Sequence, residues 1–169
     1  MASCGKNDLK EVAVFTGKDT IPSQIATAIT VIYSDSAKVK ARLTAPKMIQ
    51  YITGDQDMEM PNGLNVLFFN DSLKTNSSLR ADYGIRYPNK YLIKVTGNVI
   101  VSNPKGDTLN TEELFWDENK NIIYSNTFVK VKEPDKIILA EGFTSDVNFM
   151  HYTFKKVKGT FSINSPEAQ

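Results

Sequence analysis

Two residue types that build reactive sites are almost missing from this chain of 169 residues, which has one cysteine, Cys4, and one histidine, His151. A single cysteine closes no internal disulfide. A single histidine neither makes a typical zinc site nor completes a catalytic triad unaided. His151, between Met150 and Tyr152, reads as a surface or edge residue. No Gly-rich phosphate loop, no G-x-S-x-G elbow and no Cys/His set at metal spacing is found. Glu112-Glu113 and Asp117-Glu118 are the nearest approach to the paired carboxylates of glycoside hydrolysis. Adjacent strand residues point to opposite faces, however, and Asp117-Glu118 falls in a turn, so both pairs read as solvated charges. The expectation is a protein without a catalytic centre, metal or cofactor. Charge of one sign is lacking too. Twenty basic against nineteen acidic side chains leave +1, so no overall field favours nucleic acid or an anionic surface. Apolar runs of about 18 residues and long amphipathic helical patterns are also absent.

What is present is period-two alternation. At 41% hydrophobic residues, the length suits one domain with a real core. From Lys94 to Val131 the chain alternates, breaks and resumes. Val99 and Val101 are followed by Asn103-Pro104-Lys105-Gly106-Asp107, which supplies turn chemistry before Leu109, Leu114 and Trp116. Asp117 to Asn121 breaks the pattern again, and Phe128, Val129 and Val131 complete a third pass. A repeat underlies it: Leu43-Thr44-Ala45 with Tyr51, Leu79-Arg80-Ala81 with Tyr87, Leu109-Asn110-Thr111 with Trp116, and a degenerate copy at Leu139 to Phe143. Units of this spacing suit stacked hairpins of short antiparallel strands.

Along the rest of the chain, residues 5 to 20 are polar and unpatterned, a flexible tether within an expected 1–21 segment, and 164–169 reads as a tail around an ordered domain at 22–163. Ile25 to Tyr33 is β-branched and leads into the Ser34-Asp35-Ser36 turn, so it reads as a strand. Lys38 to Leu43 alternates strictly, with Val39, Ala41 and Leu43 on one face and three basic residues on the other. Tyr51 and Ile52 resume the strand that Pro46 edges, and Thr53 to Glu59 reads as a polar loop. Asn65 to Phe69 is apolar on both parities, which fits burial on both sides or a corner. Lys155-Lys156 reads as a bulge, between Tyr152 and Phe154 on one parity and Val157, Phe161 and Ile163 on the other. The expected fold is all-β, two packed antiparallel sheets of repeated hairpins. Its inward face would carry Val39, Ala41, Leu43, Leu79, Ala81, Ile93, Val95, Val99, Val101, Leu109, Val129, Val131, Leu139, Phe143, Phe161 and Ile163. Periodicity alone does not separate a packed core from a splayed apolar groove. Ala2-Ser3-Cys4-Gly5 is similar to the end of a bacterial lipoprotein signal, with Cys4 the acylated residue.

The segment GNVIVSNPKGDTLNTEELFWDENKNIIYSNTFVKV, with residues 32–46 before it and 139–159 after it, resembles the LptC family, the periplasmic bridge component of lipopolysaccharide export. The resemblance spans roughly residues 25 to 163. It implies an open, V-shaped β-jellyroll, anchored to a membrane at its N-terminus, whose inner face receives the acyl chains of lipopolysaccharide. It also implies inner-membrane ABC-transporter permeases as partners at the N-terminal edge and an LptA-like bridge protein at the C-terminal edge. Tyr152, Phe154, Thr160, Phe161 and Ile163 would form that second edge. The rival class is a β-sandwich module for carbohydrate or protein with the repeat Tyr and Trp side chains exposed as stacking platforms. A glycosidase using Glu112 and Glu113 is a distant third.

Overall fold

The computed structural model of the chain describes residues 22–51 and 56–162. Eleven antiparallel strands follow in chain order: β1 (Pro22–Asp35), β2 (Lys38–Tyr51), β3 (Met58–Met60), β4 (Leu64–Phe69), β5 (Thr75–Ala81), β6 (Tyr83–Tyr87), β7 (Leu92–Ser102), β8 (Thr108–Asp117), β9 (Ile122–Lys132), β10 (Lys136–Asp146) and β11 (Tyr152–Ser162). Turn chemistry sets the hairpins. Between β7 and β8 the Asn103 side chain accepts the amides of Lys105 and Asp107, and Gly106 takes φ +90°, which a side chain would resist. Between β8 and β9 Asp117 accepts the Lys120 amide and Asn121 enters the left-handed region at φ 54°.

All strands belong to one folded sheet rather than to two separate ones. The first half of β2 bonds β4 and its second half bonds β3. In the same way β7 bonds β6 early and β5 late. A ring β2-β4-β5-β7-β6-β3 therefore closes, with β4 and β5 in one layer and β3 and β6 in the other. Strands β8 to β11 continue from β7 and run through both layers. The fold is a β-jellyroll whose long strands bend across a crease.

Irregularities on neighbouring strands line up along that crease. Asp82 separates β5 from β6 and donates its amide to the Gly97 carbonyl at 3.0 Å. Opposite Glu112, β7 carries the extra residue of Gly97-Asn98, both at positive φ. Next along, β9 has an extra residue near Asn126-Thr127, and Gly142 of β10 lies at φ +82°. Bulges bend strands and raise their twist, and a stack of them folds the sheet.

Alternation then directs the core. Leu43, Val66, Leu79, Val101, Leu109, Val131 and Ile138 form one continuous cross-strand row, every member buried. The three repeat leucines at 43, 79 and 109 occupy equivalent places in it. The fourth copy departs by one residue, because Ile138, not Leu139, pairs with Val131. Leu139 lies beside Lys130 on the outward face, half-buried. Phe68 and Trp116 meet from opposite layers, ring centroids 5.0 Å apart, and Ser77 donates to the Val147 carbonyl at 2.6 Å.

Several sequence expectations need local correction. Asn65 to Phe69 is buried on one face only, with Leu67 and Phe69 half-buried on the other. Met58–Met60 is a strand rather than the end of a loop, while Ile52 and residues 53–55 lie outside the described residues. The β11 irregularity falls at Lys158, between the Gly159–Leu139 and Val157–Ala140 pairs, rather than at Lys155-Lys156.

Candidate lipid-binding interior and sheet edges

The inward side chains meet between the layers. Ala41, Leu43, Leu79, Ala81, Ile93, Val95, Val99, Val101, Leu109, Val129, Val131 and Phe143 are all buried there, and Val39 is half-buried at the margin. Phe161 is not inward. It pairs with Ile137 on the outward face and is 57% exposed, since the bulge at Lys158 shifts the parity of the last turn of β11. Ile163 and Cys4 lie outside the described residues. At the centre Val99, Val101, Leu109, Val129 and Val131 are fully enclosed, so in this closed arrangement they act as core.

The apolar space that is left lies to one side, under β1. A cleft of about 280 Å³ opens between β1 and the second layer, walled by Ile29, Val31 and Tyr33 from β1, Leu43 and Met48 from β2, Met58 and Met60 from β3, and Ile93 and Trp116 beyond. Tyr33 packs edge-on against Trp116, ring centroids 5.7 Å apart. The cleft has one charged element. Arg86 Nη2 donates to Glu118 Oε2 at 3.0 Å, with Nε also directed at the carboxylate. The Glu118 side chain is 5% exposed against 33% for Arg86. The indole Nε1 of Trp116 is buried and has no hydrogen-bond partner among the described residues. The sequence reading placed Leu43 and Ile93 inward but missed Met48, Met58, Met60 and Arg86 and took Glu118 for a solvated charge; the close spacing of the three methionines was a signal, methionine being an adaptable lining for irregular apolar space.

Strands β1 and β11 each pair on one side only, so the first and last described strands are the edges, as expected. On β11 Tyr152 and Phe154 point inward and join an aromatic cluster with Phe143 and Phe149. Tyr152 donates to Glu133 Oε1 at 2.8 Å, and burial together with that carboxylate pushes the phenol well above its ordinary range. Thr160 is exposed. Lys155 donates to Asn126 at 2.8 Å and Lys158 sits 3.4 Å from Glu141. Among the described residues both edges leave inward apolar side chains partly uncovered, Val31 on β1 at 45% exposure and Val157 on β11 at 56%.

Other candidates separate. Glu112 is exposed while Glu113 binds Lys94 at 2.7 Å, so these carboxylates do not converge on one bond. His151 is exposed, with Nδ1 2.9 Å from Asp146. The repeat aromatics are not exposed platforms either, for Trp116 is 5% exposed and Tyr51 and Tyr87 are half-buried. Among the described residues no helix is long and apolar enough to cross a membrane.

A search of curated proteins finds no match. A family profile described as "Lipopolysaccharide-assembly, LptC-related" matches residues 7–161. A match over nearly the whole chain, on a creased jellyroll with an enclosed apolar face and two free edges, establishes that the chain belongs to the LptC family.

Proposed function

We propose that the protein accepts lipopolysaccharide from an inner-membrane ABC transporter at its β1 edge, guides the acyl chains along the inner face, and hands them to an LptA-like bridge protein at its β11 edge. Family membership implies a role in lipopolysaccharide transport and a periplasmic place in that bridge. The observation that carries the finer reading is the continuity of the inner face: it is packed at the centre and uncovered at both unpaired edges, at Val31 and Val157. The cleft under β1 is the entrance. Its volume of about 280 Å³ lies at the lower limit of small-molecule sites, so several acyl chains require the layers to part over Val99, Val101 and Leu109. Parting breaks apolar contacts that the acyl chains replace, which keeps the exchange near balance. No bond is made or broken. Acylation at Cys4 would hold the domain at the membrane, and labelling of cells with an azido fatty acid, with Cys4→Ser as control, tests that separately.

Trp116 is the only tryptophan and lines the entrance, so its emission reports occupancy directly. Titration with lipopolysaccharide should give a saturable change, and photocrosslinkers at Leu43, Met60 and Val157 should capture it. Capture at none of the three, with folded protein, refutes the proposal.

A further inference from the structure

The near-zero net charge hides a run of four cations on the outward face of the β4–β5 layer, where exposed Glu112 shares a depression with Lys130 and Phe128. Cross-strand neighbours run from Arg42 through Leu67, Ser78, Ser102 and Thr108 to Lys132, and from Arg80 through Ile100 and Asn110 to Lys130. All four cations are exposed, and among the described residues none forms an ion pair. Arg42 rests over the Phe69 ring at 5.9 Å, which leaves its guanidinium edge free. Arg42 and Arg80 border one shallow depression whose other walls are hydroxyl, amide and aliphatic groups, with no carboxylate. Lys94 and Lys120 differ, being paired with Glu113 and Asp117.

Large apolar side chains stand exposed on this same outward face, Phe128 two residues before Lys130 and Phe161 opposite Ile137 at the β11 end, with Ile32 opposite Arg42 at the β1 margin, where it also borders the inner cleft. Each is more than half exposed. A free phosphate has use for the cations but none for these three. A bilayer surface has use for both, because phosphates attract the cations while the apolar side chains enter the headgroup boundary.

We propose that this outward face is a docking surface for an anionic phospholipid bilayer. It holds the jellyroll with the outward face of the β4–β5 layer toward the membrane. The surface lies on the opposite side of the sheet from the lipid-binding interior, so its test is independent of lipopolysaccharide capture.

The experiment is vesicle flotation of the purified, unacylated full chain in the absence of lipopolysaccharide, with phosphatidylcholine vesicles and with vesicles that also contain phosphatidylglycerol. Binding should require phosphatidylglycerol and fall with salt. Arg42→Gln with Arg80→Gln, and separately Lys130→Gln with Lys132→Gln, should each weaken partition about 25-fold, at about fivefold per cation. Phe128→Ser with Phe161→Ser should weaken it at constant salt sensitivity. The control Lys94→Gln should leave it unchanged. Circular dichroism verifies folding, which these exposed positions do not threaten. Equal binding to both vesicle types, or equal loss in the control, overturns the proposal. Binding of inorganic phosphate at the four cations without vesicle binding also overturns it, assigning the face to a soluble anion instead.

Discussion

Replacing Arg86 with Met tests whether the cleft under β1 is a low-dielectric space. Glu118 is nearly buried and its carboxylate takes three contacts from Arg86, the shortest 3.0 Å, while its amide donates to the Tyr91 carbonyl at 2.8 Å. Removing one partner of a fully buried ion pair costs about 3–5 kcal/mol, chiefly because the other charge is left uncompensated. Arg86 is one-third exposed, so water reaches the guanidinium side and screens part of the pair. The expected loss for Arg86→Met is therefore about 2–3 kcal/mol, read as a lower urea midpoint at unchanged slope. The second variant, Arg86→Met with Glu118→Leu, removes both charges and restores apolar contact in a cleft already lined by Met58, Met60 and Ile93. It should recover to within about 1 kcal/mol of the parent, since hydrophobic replacement of buried pairs is often neutral or better. Its entrance is wholly apolar, so lipopolysaccharide titration by Trp116 emission should be preserved. If Arg86→Met costs less than about 0.5 kcal/mol, the pair behaves as an ordinary exposed one and the cleft is solvated, which removes the physical basis for an acyl entrance there.

Three further outcomes are expected. Ala41→Phe places a ring into the cleft beside Tyr33, its register partner; overpacking of about 1–3 kcal/mol and added burial of about 1.5–3 kcal/mol nearly offset, so stability should hold while lipopolysaccharide affinity falls at least tenfold, and undiminished affinity would place the entrance elsewhere. Lys38 and Lys40 both donate to Asp71 at 2.9 Å and hold its carboxyl down at about 2; a lowered folded value stabilises above the unfolded value of 3.8 and is lost as pH falls through about 2, so the small difference in urea midpoint between the parent and Asp71→Asn should be full above about pH 5 and vanish only below about pH 2, and a pH-independent difference would contradict the pairing. Consecutive amides of β11 point alternately toward β10 and away from the sheet, so of Thr160→Pro and Phe161→Pro one should lower stability and the other should abolish pull-down of the bridge protein while lipid capture survives; undiminished pull-down by both would assign the interface to the β1 edge.

The family and fold class were legible because their signals are local. Alternation in Lys38 to Leu43 put Ala41 and Leu43 into the core as read, the Asn103 to Asp107 turn closed the expected hairpin, and the repeat leucines at 43, 79 and 109 share one cross-strand row. Neighbouring residues suffice for such features, since a side chain's face follows from its parity within a strand. The misplacements have an equally physical cause. Leu139 and Phe161 went to the wrong face because parity holds only between bulges and within the register set by a partner strand, and that register is fixed by pairing across the hairpin, Leu139 with Lys130 and Phe161 with Ile137. The same holds for the closed ring through β2 and β7, for the cleft that Met58 and Met60 complete, and for the four free cations of the outward face, which lie on strands β2, β5 and β9. Alternation determined that this chain would have an apolar side and a wet side. Only strand pairing across the crease decided which residues face each other over that divide, where the apolar side opens, and which charges the wet side brings together.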